Sequence, residues 1–154
     1  MKIKYKDIKM RNLFILTLFV IAFQFSIADS KKEITIENAR IKAVPSASPN
    51  TGGFMILKNS SNQDVSLIKA ESNISTSVEL HTMVMVEGVM KMRPVEKIEI
   101  KANSSVELKP GSFHVMFIGL KAPLKMEEKK NVTLTFSNGQ KEILSIPVKE
   151  ITMK

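Results

Sequence analysis

Ser77-Val78-Glu79-Leu80-His81-Thr82-Met83-Val84-Met85-Val86, then Glu87-Gly88, then Val89-Met90-Lys91-Met92-Arg93-Pro94-Val95, is the stretch on which the fold turns. Two β-prone, alternating runs flank two residues able to make a tight turn, the pattern of a β-hairpin. With Glu87-Gly88 as a two-residue loop, Val86 faces Val89, Met85 faces Met90, Met83 faces Met92 and His81 faces Pro94. Side chains alternate between the faces of a strand, so His81, Met83, Met85, Met90 and Met92 share one face. His81 and Met92 become diagonal neighbours with Cβ atoms about 7 Å apart or less, leaving room for a metal ion held by both.

The rest of the chain repeats this short-strand rhythm. Ile34–Val44 ends at Pro45 and a loop of Pro, Ser, Ala and Asn. Gly52–Leu57, Val65–Ala70, Lys97–Ile100, Ser105–Leu108, Phe113–Leu120, Val132–Phe136 and Ile143–Val148 follow as further β-prone runs separated by turn residues. No window of eleven residues sustains a helical period, and Ala122–Lys130 has room for only one turn of helix. Regular short strands without helices predict an all-β domain, a sandwich or barrel. There is no internal repeat and no sign of a second domain.

The chain has two histidines, ten methionines and no cysteine. Ten residues separate His81 from Met92, twenty-one more lead to His114, and Met116 lies two beyond. His114 and Met116 therefore point to one side of a strand-like run, while Phe113, Val115 and Phe117 face a core on the other. Lys109-Pro110-Gly111-Ser112 turns the chain just before them, which keeps the pair near a strand end. Two imidazoles and two thioethers form a soft, neutral ligand set, suited to Cu(I) and unsuited to cations that want carboxylates and carbonyls. On spacing alone the alternative stays open that the methionines fill core gaps and the histidines are ordinary residues.

The segment Val78–Leu120 resembles the PCu(A)C family of periplasmic copper chaperones. The resemblance is carried by Val78-Glu79-Leu80-His81-Thr82-Met83, Val89-Met90-Lys91-Met92-Arg93-Pro94-Val95, Val106-Glu107-Leu108-Lys109-Pro110-Gly111, His114-Val115-Met116 and Gly119-Leu120-Lys121. The family's motif, His-x10-Met-x21-His-x-Met, is met at every position without a gap. Weaker similarity extends from Thr51-Gly52-Gly53-Phe54-Met55 to Val132-Thr133-Leu134-Thr135-Phe136. The resemblance implies a cupredoxin-like β-sandwich that binds one Cu(I) per chain through His81, Met92, His114 and Met116. It further implies delivery to copper acceptor proteins, namely the cytochrome oxidase copper subunit and Sco-type proteins, by a protein expected to be a monomer. Met83, Met85 and Met90 are read as core packing or apolar cover in preference to a rim that passes Cu(I) along. Glu79 and Glu87 are read as solvated charge in preference to hard ligands.

The amino-terminal segment has a separate role. Lys2, Lys4, Lys6, Lys9 and Arg11, against the single acid Asp7, precede the apolar run Leu13–Phe25 and the small-residue end Ser26-Ile27-Ala28. This is the layout of a secretory signal peptide over residues 1–28, with a mature domain over 29–154 in the periplasm. Thirteen residues of helix reach about 20 Å, short of the ~30 Å hydrocarbon core, which favours a cleaved signal over an uncleaved membrane anchor, and no stable membrane insertion is expected after cleavage. With no cysteine after the apolar run, a lipid-modified lipoprotein is not expected.

The formal net charge is +8. Losing five of the positive charges and one negative with residues 1–28 leaves +4, spread among alternating Lys and Glu, which argues against nucleic-acid binding. Without cysteine, stability in an oxidising compartment rests on packing, and a blue-copper electron-transfer site lacks its thiolate. No nucleophile elbow, triad or zinc-hydrolase motif is present, so the protein is not expected to be an enzyme. Two other functions remain compatible with the sequence: a copper-sequestering resistance protein, and an exported β-sandwich binding or adhesion module without metal.

Overall fold

The computed structural model describes residues 32–151, so the expected signal segment lies outside the described residues. Ten strands occur where the alternating runs predict them: β1 (Ile34–Lys42), β2 (Asn50–Asn59), β3 (Val65–Glu71), β4 (Ser75–Val86), β5 (Val89–Pro94), β6 (Ile98–Ile100), β7 (Ser104–Leu108), β8 (His114–Leu120), β9 (Lys129–Phe136) and β10 (Lys141–Lys149). Hydrogen bonding joins them in the order β5-β4-β8-β2-β1-β10-β9-β3-β6, with β7 also paired to β2. All neighbours are antiparallel except β1 and β10, which meet in parallel through Ile41 with Val148 and Lys42 with Lys149. That junction links the β5-β4-β8-β2-β1 layer to the β10-β9-β3-β6 layer. Alternate residues of both layers, among them Leu80, Val115, Phe117 and Leu57 from the first and Leu67, Val132, Leu134, Phe136 and Ile100 from the second, form one buried apolar cluster. The fold is the all-β sandwich that the strand pattern predicts.

The β4–β5 hairpin has the predicted register: Val86 opposite Val89, Met85 opposite Met90, Met83 opposite Met92 and His81 opposite Pro94. Glu87 and Gly88 both have positive φ, 52° and 78°. This pair of left-handed residues makes a two-residue turn whose twist matches that of the strands. Glycine adopts it freely, and Glu87 bears a modest steric cost there.

The segment Ala122–Lys130 does not form the single helical turn for which it has room. Glu127 has a φ of 61°, outside the right-handed helical region. Its N–H donates to Val148 O at 2.9 Å, and Val148 N–H donates back to Glu128 O at the same distance. These two backbone bonds tie the end of the segment to Val148 on β10, and β9 already begins at Lys129.

Candidate metal centre

The predicted ligands come from three adjacent strands. His81 on β4 lies directly opposite His114 on β8, and Glu79 opposite Met116. Met92 on β5 lies opposite Met83, two residues beyond His81. Paired residues share a face, so His81, Met92, His114 and Met116 all project from the outer face of the first layer. The inner face of the same strands carries Leu80, Val115 and Phe117, all buried in the core. Apolar alternation therefore sets the strands in place, and the intervening positions carry the chemistry.

A cavity of about 230 Å³ opens on this face, lined among others by Met83, Met92, His114, Met116, Phe54 and Gly111. His81 stands beside it, its ring centroid 5.8 Å from that of His114. His114 is only 5% exposed. The ring of Phe54 lies 6.2 Å from it, and Phe54 is buried yet sits outside the main core cluster. Gly52 makes that placement possible: a Cβ there would come within 2.9 Å of the Phe54 ring.

Hydrogen bonds set which nitrogen each imidazole offers. His114 donates its Nδ1–H to the carbonyl of Ser112 at 2.9 Å, in the turn that precedes β8. A carbonyl oxygen only accepts, so the neutral ring keeps its lone pair on Nε2. His81 donates Nε2–H to the Glu79 carboxylate at 2.8 Å. Its lone pair is thereby on Nδ1, a buried atom with no hydrogen-bond partner among the described residues. A buried nitrogen left unpaired is costly, and a soft metal is a partner that satisfies it without a proton. Burial pushes the His114 pKa below its ordinary value, the bond to Ser112 opposes this, and the neighbouring His81 adds to the depression. The neutral form of His114, the one able to ligate a metal, is thus favoured. The hydrogen bond from His81, with a weaker one from Ser77, holds the Glu79 carboxyl below its usual range.

Glu79 is therefore more than the solvated charge that its place in the sequence suggests. It orients His81 in the way carboxylates orient metal-ligating histidines generally. The spacing carried the signal, since a carboxylate two residues before a histidine on a strand lies on the same face. Met83 lines the cavity, and Met85 and Met90 are 63% and 44% exposed. None of these three belongs to the buried core cluster.

A family model described as "Putative lipoprotein LpqE-like" matches residues 34–148. The chain belongs to the LpqE-like family. A relative from Leifsonia xyli, "Putative lipoprotein Lxx21020", is 33% identical over 120 residues, 77% of this chain and 71% of the relative. An uncharacterized protein of Rickettsia prowazekii, RP573, is 28% identical over 100 residues, 64% of this chain and 55% of its own length. The LpqE-like chain contains no cysteine. Among solved structures it resembles Cu(I)-bound DR1885 from Deinococcus radiodurans, with 32% identity, a TM-score of 0.61 and coverage of 84% of this chain and 86% of that one. It also resembles the apo form of DR1885, with 32% identity, a TM-score of 0.62 and coverage of 79% and 82%. The copper-bound PCuAC domain of PmoF2 shares the fold, with a TM-score of 0.65, 20% identity and coverage of 77% and 94%.

Proposed function

We propose that this protein is a PCuAC-type carrier of Cu(I), exported to the periplasm with residues 1–28 removed. It takes one ion per chain as cargo on His81, Met92, His114 and Met116. The observation that carries this reading is the register that sets two imidazoles and two thioethers on one sheet face, with the buried His81 Nδ1 unpaired among the described residues. The likeness to Cu(I)-bound DR1885 supports it.

The chain's own residues account for holding and for release. Glu79 and the Ser112 carbonyl keep both rings in their ligating tautomers, so little reorganisation is needed when the ion arrives. Phe54 and the Pro110-Gly111 turn cover His114, while Met92 remains more than half exposed on the edge strand β5. An incoming ligand can replace the Met92 thioether first, while the imidazoles still hold the ion. An acceptor bearing cysteine thiolates binds Cu(I) more strongly than neutral thioethers and draws it across. The proposed acceptors are the copper subunit of cytochrome oxidase and Sco-type proteins, and the protein acts as a carrier and not as a catalyst.

The test is transfer. Cu(I)-loaded protein mixed with an apo thiolate acceptor should lose its metal faster than to a small chelator of matched affinity. Equal rates with every acceptor would leave copper sequestration as the better account.

A further inference from the structure

The outer face of the β4–β5 hairpin continues past the metal centre as a run of thioethers. Met83 and Met92 face each other inside the cavity, and Met85 and Met90 face each other one step nearer the turn. Directly opposed residues have Cβ atoms about 4.5–5.5 Å apart, within reach of one ion between two flexible thioethers. Two residues of strand separate the pairs, about 7 Å.

Burial does not explain the outer pair. Met85 and Met90 lie well into solvent, and neither belongs to the buried core cluster. The other face of the hairpin carries Thr82, Lys91 and Arg93, so polar residues are accepted elsewhere on this element. From Met83 to the turn and back to Met92 this face carries thioethers alone, with no carboxylate, hydroxyl or amide among them, so that end of it offers nothing to a hard cation.

We propose that Met85 and Met90, with Met83 behind them, form a second and weaker Cu(I) site, a port through which the ion enters or leaves the inner centre. This rests on the inner centre being a Cu(I) site. Thioethers suit a port because they bind the soft monovalent ion without charge and exchange it readily. Met83 belongs to both sets: it lines the inner cavity and lies diagonal to Met90. An ion on the outer pair can therefore acquire Met83, then Met92, before reaching the imidazoles.

The experiment uses protein labelled with ¹³C at the methionine methyl groups, titrated with Ag(I) as an air-stable, soft monovalent stand-in for Cu(I). The first equivalent should shift Met92 and Met116. The second should shift Met85 and Met90, while Met126, equally exposed but outside the hairpin, serves as the single-thioether control. The double variant Met85→Leu/Met90→Leu conserves volume at exposed positions, so the fold should persist. It should bind about one equivalent instead of about two and release Cu(I) to an acceptor more slowly, with the first affinity unchanged. Met85 and Met90 shifts no larger than that of Met126, or a second equivalent retained by the double variant, would overturn the port. Met92 and Met116 staying unshifted while Met85 and Met90 move would overturn the inner centre and leave the outer pair as the metal site.

Discussion

Replacing Glu79 isolates the part of the site that acts without touching the metal. Its carboxylate accepts Nε2–H of His81 at 2.8 Å, and that bond alone assigns the ring's lone pair to the buried Nδ1. In Glu79→Ala the acceptor is gone, and His81 can populate the other tautomer, with its proton on the nitrogen that should ligate. Loss of a carboxylate that orients a ligating histidine costs about 10–100-fold in metal affinity. Because the Glu79 side chain is 41% exposed, water partly replaces it, so the lower end, about tenfold or ~1.4 kcal/mol, is expected. Glu79→Gln retains a carbonyl acceptor and should fall between Ala and wild type. The same exposure limits the effect on the fold to under ~1 kcal/mol, so the apo melting temperature should barely move. Competition against a Cu(I) chelator gives the affinity, and ¹⁵N correlation spectra of the imidazoles give the tautomer. Equal affinity in wild type and Glu79→Ala, with the His81 proton still on Nε2, would refute the reasoning.

Three further outcomes follow from the same geometry. Met92→Leu and Met116→Leu should each weaken Cu(I) binding while apo stability stays near wild type, since volume is conserved and only sulfur is lost; chelator competition and thermal melts check both. Gly52→Ala brings a Cβ to 2.9 Å from the Phe54 ring, which leans on His114, so urea unfolding should show a loss of ~1–3 kcal/mol together with weaker Cu(I) binding. The apo protein should lose stability as the pH falls from about 7 toward 5, because the pKa of His114 is lower folded than its unfolded value of about 6.5; the unfolded chain then binds the proton first. His114→Gln should flatten that dependence in urea midpoints, whereas the lowered carboxyls, such as Glu79, act only at more acidic pH.

The period-two alternation made all ten strands legible in the sequence, as well as the hairpin register, because a one-residue slip would expose Leu80 and bury His81. The placement of His114 and Met116 opposite the core residues Val115 and Phe117 followed from the same rule. Pairings between distant segments were not legible: that His81 sits across from His114 is set by how β4 packs on β8, which no local pattern records. Glu79 reads as solvated charge because most strand glutamates end in solvent; its spacing from His81 gives the shared face, and the fold adds the 2.8 Å contact with Nε2. The path of Ala122–Lys130 is not legible locally, because the bonds that fix its end, Glu127 and Glu128 to Val148, are made to β10.

The measurement that bears most directly on the central claim is X-ray absorption on the Cu(I)-loaded protein at one equivalent, in wild type and in His81→Ala/His114→Ala. The account predicts mixed coordination in the wild type, with about two nitrogen and about two sulfur ligands, and loss of the nitrogen shell in the double variant. A wild-type spectrum with sulfur ligands alone, or one that the double variant leaves unchanged, would contradict it.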